Sequence, residues 1–271
     1  MLLLFDFKEA SMMQDTWRLL YSEDIFDCYQ NMAIDKAIMD AVAKDEAPNT
    51  VRFYRWQPSA VSIGYFQSMK EVINIPACDD LGINYVRRIT GGGAVYHDYE
   101  GELTYSIISK DKDEKLPKEI VAIYEKVCGA IIKGLSYLGI NAEFKPINDI
   151  TLVSNKKKIS GSALTRKKGV ILQHGTILRK VNVEQMFNVL IVPDEKFKAK
   201  MISSAKDRVS SLEIELGEAP SFEQLRKEMT KGFEEQLGIS LVHQELGQNE
   251  QKEAGESAVN LFKQKEWLFK R

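Results

Sequence analysis

The chain has 271 residues, 44 % of them hydrophobic and 28 % charged, with a formal net charge of −2. That size supports one large domain of helices and strands, or one large and one small, and the near-neutral charge gives no basic excess for nucleic acid. The three cysteines, Cys28, Cys78 and Cys128, make neither a CxxC motif nor an even framework, which points to a reducing cytoplasm.

The apolar start Met1-Leu2-Leu3-Leu4-Phe5 is broken by Asp6, Lys8 and Glu9, too soon for a signal core or a membrane span. Residues 1–15 therefore read as a leader, and residues 16–271 as the domain proper. Positions 31–42 read as a helix, with Met32, Ile34, Ile38 and Met39 apolar and Asp35, Lys36 and Asp40 polar. Strand patterns follow at 51–56 and 60–66, separated by Pro58 and Ser59, and again at 83–88 and 103–109. A long helix is expected over 118–138, where Ile120, Tyr124, Val127, Ile131 and Leu135 make one stripe and Gly139 stops it. Cys128, beside that stripe, reads as core, as do Trp56, Tyr65 and Phe66. Strands are expected at 142–147, 150–154 and 170–178, with a short one around His243. The last third, about 181–271, turns helical at 183–190, 194–203, 222–237 and 250–265, and Ser221 with Gln224 spells a capping box. Strands first and helices segregated behind them predict an α+β fold with a mixed or antiparallel sheet flanked by helices.

Three segments carry chemistry. The first is Arg87-Arg88-Ile89-Thr90-Gly91-Gly92-Gly93-Ala94-Val95-Tyr96-His97-Asp98, where three glycines let backbone approach a ligand closely. The others are Lys158-Ile159-Ser160-Gly161-Ser162-Ala163 and Gln173-His174-Gly175-Thr176, with Asn148-Asp149 just upstream of Lys158. There is no Walker A pattern, serine elbow or metal-binding histidine cluster, and the glycine run lacks dinucleotide-binding spacing. Fixed cations and backbone N–H groups of this kind suit a reaction that builds negative charge. Lys156 and Lys157 read as a solvated turn, and Asp98 as a hydrogen-bond partner.

Together the segments resemble the lipoate–protein ligase family, within the biotin/lipoate ligase and octanoyl/lipoyl transferase superfamily. The resemblance runs from about residue 16 to the end of the chain and implies a catalytic domain like that of class II aminoacyl-tRNA synthetases and biotin–lipoate ligases. It implies that Arg88, Thr90, Gly91, Gly92, Gly93, Val95 and His97 wrap the acyl chain and an adenylate phosphate. Lys158 matches the catalytic lysine, followed by Ser160, Gly161, Ser162 and Ala163. Asn148 and Asp149 match a nucleotide-side pair, Asp149 as a magnesium contact, and His174 with Gly175 lies against the acyl pocket. Arg208 resembles a further basic element near the nucleotide.

The activity so implied is ATP-dependent: lipoate, ATP and Mg2+ give lipoyl-AMP, and a lysine of an acceptor protein takes the lipoyl group. The acceptors implied are lipoyl domains, as in the E2 component of 2-oxoacid dehydrogenases, and the H protein of glycine cleavage. The resemblance implies no separate C-terminal accessory domain, so either a partner polypeptide is expected to supply that module or a single-domain enzyme works without it; nucleic acid and membrane are not expected partners. Two alternatives stand beside the ligase. One is an ATP-independent octanoyl or lipoyl transferase, which carries its acyl group on a cysteine. Segments such as Glu102-Leu103-Thr104-Tyr105-Ser106 resemble that branch equally, but no cysteine lies between Phe144 and Lys158 or after Gly175. The other is a binding-only relative, disfavoured because Lys158 and the glycine loop are present.

Overall fold

A computed structural model describes residues 16–192 and 194–270, so the expected leader 1–15 lies outside the described residues. The strands are β1 (Thr16–Leu20), β2 (Thr50–Tyr54), β3 (Ala60–Ile63), β4 (Asn84–Arg87), β5 (Val95–His97), β6 (Glu102–Lys110), β7 (Ala142–Lys145), β8 (Asp149–Leu152), β9 (Lys158–Lys167), β10 (Val170–Leu178) and β11 (Ser240–His243). The helices are α1 (Cys28–Ala43), α2 (Met69–Val72), α3 (Ile75–Asp80), α4 (Ile120–Tyr137), α5 (Val183–Val189), α6 (Glu195–Arg208), α7 (Leu212–Leu216), α8 (Phe222–Leu237), α9 (Gln248–Ser257) and α10 (Lys265–Leu268).

Eight strands form one sheet in the order β11-β1-β2-β6-β10-β9-β8-β7, and β4-β3-β5 form a second. The large sheet is mixed, because β1 runs parallel to both β11 and β2 while β6, β10, β9 and β8 pair antiparallel. The expected α+β architecture is thus the one observed.

Strand periodicity decides the layers. Along β6, Leu103, Tyr105 and Ile107 join a core with α4 and α8, while Ile108 faces the core built on α1 and α9. On α4, Tyr124, Val127, Ile131 and Leu135 are buried, but Ile120 at its first turn is 43 % exposed. Each fully buried aliphatic side chain of this kind stabilises the fold by about 1.5–3 kcal/mol. α1 begins at Asp27, whose carboxylate accepts from the Gln30 N–H at 2.7 Å while the Gln30 side chain accepts from the Asp27 N–H.

Several expectations need correction. Phe66 is 87 % exposed, so it is not core, whereas Trp56 is buried. Asp35, which the sequence places on a polar helix face, is 1 % exposed, because Arg52 and Tyr54 of β2, Ser106 of β6 and His174 of β10 cover α1 on that side. The segment Lys158–Lys167 is a full strand that hydrophobic patterning missed, since its small and polar residues face a cavity instead of a core. The helix expected over 250–265 divides into α9, a π-helical turn at Ala258–Phe262 and α10. Ala254, Ala258 and Phe262 are buried at four-residue spacing, which hides that break in the sequence.

Candidate functional site

The three motif segments meet where the small sheet packs against the centre of the large one. β3 lies between β4 and β5, which puts Ser62 beside Val95 and Ala60 beside His97. β10 lies between β6 and β9, which puts His174 beside both Ser106 and Ala163, and Gly175 beside Ser162. The cavity between the sheets has a volume of about 320 Å³ and is lined by Arg88, Gly92, Gly93, Val95 and His97 on one side. Asn148, Lys158, Gly161, Ser162, Ala163, His174 and Gly175 line the other. A larger cavity of about 620 Å³, near Tyr21, Phe26 and Arg226, contains none of the motif residues.

Of the expected residues, Thr90, Gly91, Asp149 and Ser160 do not line the cavity. Thr90 and Ser160 are fully buried behind it. Asp149 supports Lys158 instead, its Oδ1 2.7 Å from the lysine Nζ. The lysine side chain folds over Gly161, where a Cβ would come within 2.6 Å of Nζ. Asn148 donates to the Ser162 carbonyl at 2.6 Å and its own carbonyl accepts from the Ser162 N–H, tying the strand before Lys158 to the strand after it.

Arg88 is an organiser of the glycine loop. Its Nε donates to Thr90 Oγ1, Nη1 to the Ser62 carbonyl and hydroxyl, and Nη2 to the Gly91 and Gly93 carbonyls. All five N–H groups are therefore spent within the protein, so Arg88 contributes positive potential instead of direct hydrogen bonds to a ligand phosphate. Burial lowers its pKa to about 10. The loop also presses on β3: a Cβ on Gly64 would stand 2.0 Å from the Gly92 carbonyl oxygen, and Gly92 has φ +95°. Only glycine at both positions allows that approach. Arg87 acts likewise on the other side of the strand, donating to the carbonyls of Tyr65, Gln67, Trp267 and Leu268.

Behind His174 lies a buried anion that sequence reading missed. Asp35 accepts from Arg52 at 2.7 Å, Ser106 at 3.0 Å and Tyr54 at 3.2 Å. Burial opposes its charge, but Arg52 and His174 outweigh that and hold its carboxyl below the ordinary range. His174 Nε2 contacts Thr90 Oγ1 at 2.8 Å, and its Nδ1 stands 3.5 Å from Asp35 Oδ2, close enough for attraction but long for a hydrogen bond. Burial lowers the His174 pKa despite Asp35. The one sequence signal for Asp35 was a carboxylate on an otherwise apolar stripe.

The residues do not fit a magnesium site. Asp149 is committed to Lys158, and the described residues contain no group of three or more His, Cys, Asp or Glu side chains able to hold a metal. Arg208 does not line the cavity either; the bridge between Lys158 and Val209 turns Val209 toward it. All three cysteines are buried, and Cys128 lies behind Ser162, its Sγ 3.8 Å from the serine Oγ. Burial pushes the Cys128 thiol up to about 12. Among the described residues no helix is long and apolar enough to cross a membrane.

A glycine loop, a lysine at a strand start and a His-Gly pair around one cavity between two mixed sheets define a lipoylation-type acyl-transfer enzyme. The chain belongs to the lipoyl protein ligase A/B catalytic domain family, whose model matches residues 27–234. It is 32 % identical to the octanoyltransferase LipM of Bacillus subtilis, over 96 % of this chain and 100 % of that one. It is 34 % identical to the octanoyltransferase LipM of Geobacillus kaustophilus, with the same coverage of 96 % and 100 %. A solved archaeal bipartite lipoate protein ligase from Thermoplasma acidophilum superposes with TM-score 0.84 at 30 % identity, over 94 % of this chain and 96 % of that one. A lipoate-protein ligase A bound with ATP superposes with TM-score 0.79 at 28 % identity, over 94 % and 98 %.

These relatives correct the expected activity. The full-length matches are octanoyltransferases, so ATP-dependent activation of lipoate, with ATP and Mg2+ as cofactors, gives way to the transferase alternative.

Proposed function

We propose that this chain transfers an octanoyl group from a thioester donor to a lysine of a lipoyl-domain or H-protein acceptor, without ATP. The observation that carries this reading is the match to octanoyltransferases along essentially their whole length. The cavity supports it. Met32, Val95, Ala163, Leu178, Val183 and Met186 give apolar wall for an acyl chain, and the polar groups gather around Lys158 and His97.

In this reading the glycine loop lies along the acyl chain, where the missing Cβ atoms leave room. The Lys158 ammonium, oriented by Asp149, faces the thioester carbonyl and stabilises the negative charge that develops there. A thioester arrives already activated, so no adenylate is needed. The test is to incubate the purified chain with octanoyl-loaded acyl carrier protein and an apo lipoyl domain, with and without ATP. A lipoyl domain heavier by one octanoyl group, in both conditions, is the expected mass spectrum. Modification only when ATP and free octanoate are supplied would overturn the reading.

A further inference from the structure

The three cysteines leave the transferase without a reachable thiol, for each is buried and none lines the cavity. A different nucleophile is built into the cavity wall. Ser62, on β3, has its Oγ 2.7 Å from His97 Nε2, and His97 Nδ1 lies 2.6 Å from Glu102 Oε1. All three residues line the cavity and all are at least 95 % buried, at 1 %, 5 % and 1 % exposure.

The hydrogen bonds set the direction of the protons. The indole of Trp56 donates to Thr104 Oγ1 at 2.7 Å, so the threonine hydroxyl turns its own proton to Glu102 Oε1, also at 2.7 Å. The Glu102 carboxylate then accepts from Nδ1–H of His97, which leaves Nε2 as a lone pair facing Ser62. Ser62 must donate its hydroxyl proton to that lone pair. Its oxygen in turn accepts from Arg88 Nη1 at 3.0 Å, a buried cation placed where negative charge on Oγ would develop. The imidazole is held flat by Trp56, stacked with centroids 3.9 Å apart and planes 15° from parallel. A nucleophile, a base and a carboxylate that orients the base are the parts of a hydroxyl-based acyl-transfer centre.

We propose that Ser62 is the acyl-carrying nucleophile of this enzyme, with His97 as its base and Glu102 as the group that orients the base. The proposal rests on the transferase reading. Ser62 Oγ attacks the thioester carbonyl carbon as His97 takes the hydroxyl proton; the carbon–sulfur bond breaks and that proton leaves with the carrier thiolate. The octanoyl group is then an ester on Ser62. The neutral amine of the acceptor lysine attacks the ester; the carbon–nitrogen bond forms, the bond from the acyl carbon to Ser62 Oγ breaks, and His97 carries the amine's proton to the departing Oγ.

The experiment omits the acceptor. The chain is mixed with octanoyl-loaded acyl carrier protein, or with p-nitrophenyl octanoate, quenched in acid and mapped by peptide mass spectrometry. Octanoyl on the Ser62 peptide, resistant to neutral hydroxylamine, is expected for the wild type and absent from Ser62→Ala. Ser62→Cys should retain the adduct as a hydroxylamine-labile thioester, and His97→Gln should slow acylation by about 10²–10⁴-fold. Octanoyl on a cysteine, or transfer by folded Ser62→Ala at the wild-type rate, would overturn the assignment while leaving the transferase reading intact. Acylation of Ser62 by p-nitrophenyl octanoate with no transfer from the carrier would do the reverse.

Discussion

Lys158 and Asp149 meet across the adjacent strands β8 and β9, Nζ 2.7 Å from Oδ1, with the lysine side chain still 39 % exposed. A pair this exposed contributes less than about 1 kcal/mol to stability, so its value lies in aiming the ammonium. Lys158→Ala should therefore unfold at nearly the wild-type denaturant midpoint while octanoyl transfer falls at least about 10²-fold, the loss typical of a removed charge-stabilising donor. Lys158→Arg should fail too, because a planar fork replaces a compact ammonium above Gly161. Rates near wild type in either variant would remove Lys158 from the reaction.

The contact between Gly64 and the glycine loop makes a second prediction. A methyl group at Gly64 would lie 2.0 Å from the Gly92 carbonyl oxygen, and backbone rather than a flexible side chain has to move. Overpacking of this kind costs about 1–3 kcal/mol. Gly64→Ala should lower the urea midpoint and displace the loop that Arg88 holds, reducing transfer more than stability alone explains. The comparison to make is the rate of the folded variant against wild type at saturating octanoyl donor; equal rates would refute the coupling.

Burial of Asp35 against Arg52 predicts a large mutational cost. Asp35→Ala leaves the Arg52 guanidinium buried at 3 % exposure without its carboxylate. Breaking such a pair typically destabilises by about 3–5 kcal/mol. Equilibrium urea unfolding measures this directly, and a loss below about 1 kcal/mol would mean that Arg52 finds another partner.

The pH dependence of stability follows from His174, whose pKa is lowered from its ordinary 6.5 by burial. Between the folded value and 6.5 the unfolded chain binds more protons, so stability rises with pH through that window. The His174 contribution is complete above 6.5 and is lost as pH falls toward the folded pKa. Asp35, lowered from 3.8, adds a loss in the same direction at still more acid pH, below 3.8 and through its folded value. The urea midpoint should drop from pH 7 to pH 5, and His174→Gln should flatten that slope; an unchanged slope in the variant would assign it to another group.

The thiols offer a simple check on the serine assignment. Burial pushes Cys78 to about 11 and Cys128 to about 12, and raises Cys28 as well. Reactivity follows the thiolate and its access. Iodoacetamide at neutral pH should neither alkylate nor inactivate the native chain, and should label all three cysteines in urea. Rapid inactivation of the native protein would point to an exposed thiol in the reaction.

The sequence by itself determined the α+β class, the long amphipathic helix α4, the capping of α8 by Ser221 and the motif segments that converge on one cavity. These are local properties, written in periodicity, capping and the glycine run. What only the tertiary structure decided is which atoms face one another. Strand β9 was illegible because Ser160, Gly161, Ser162 and Ala163 carry no apolar alternation. The link between Ser62 and Glu102 was illegible because they lie 40 residues apart on strands of different sheets, and only the packing of β3 and β5 against β6 brings both to His97. Arg88 reads as a phosphate ligand in sequence, but folding spends its five donors on the loop around it. Asp35 looks solvated on one helix and becomes the buried counter-charge of Arg52 once the sheet covers it. A hydrogen bond or an ion pair depends on distances of about 3 Å between groups distant in sequence, and no local pattern encodes such a distance.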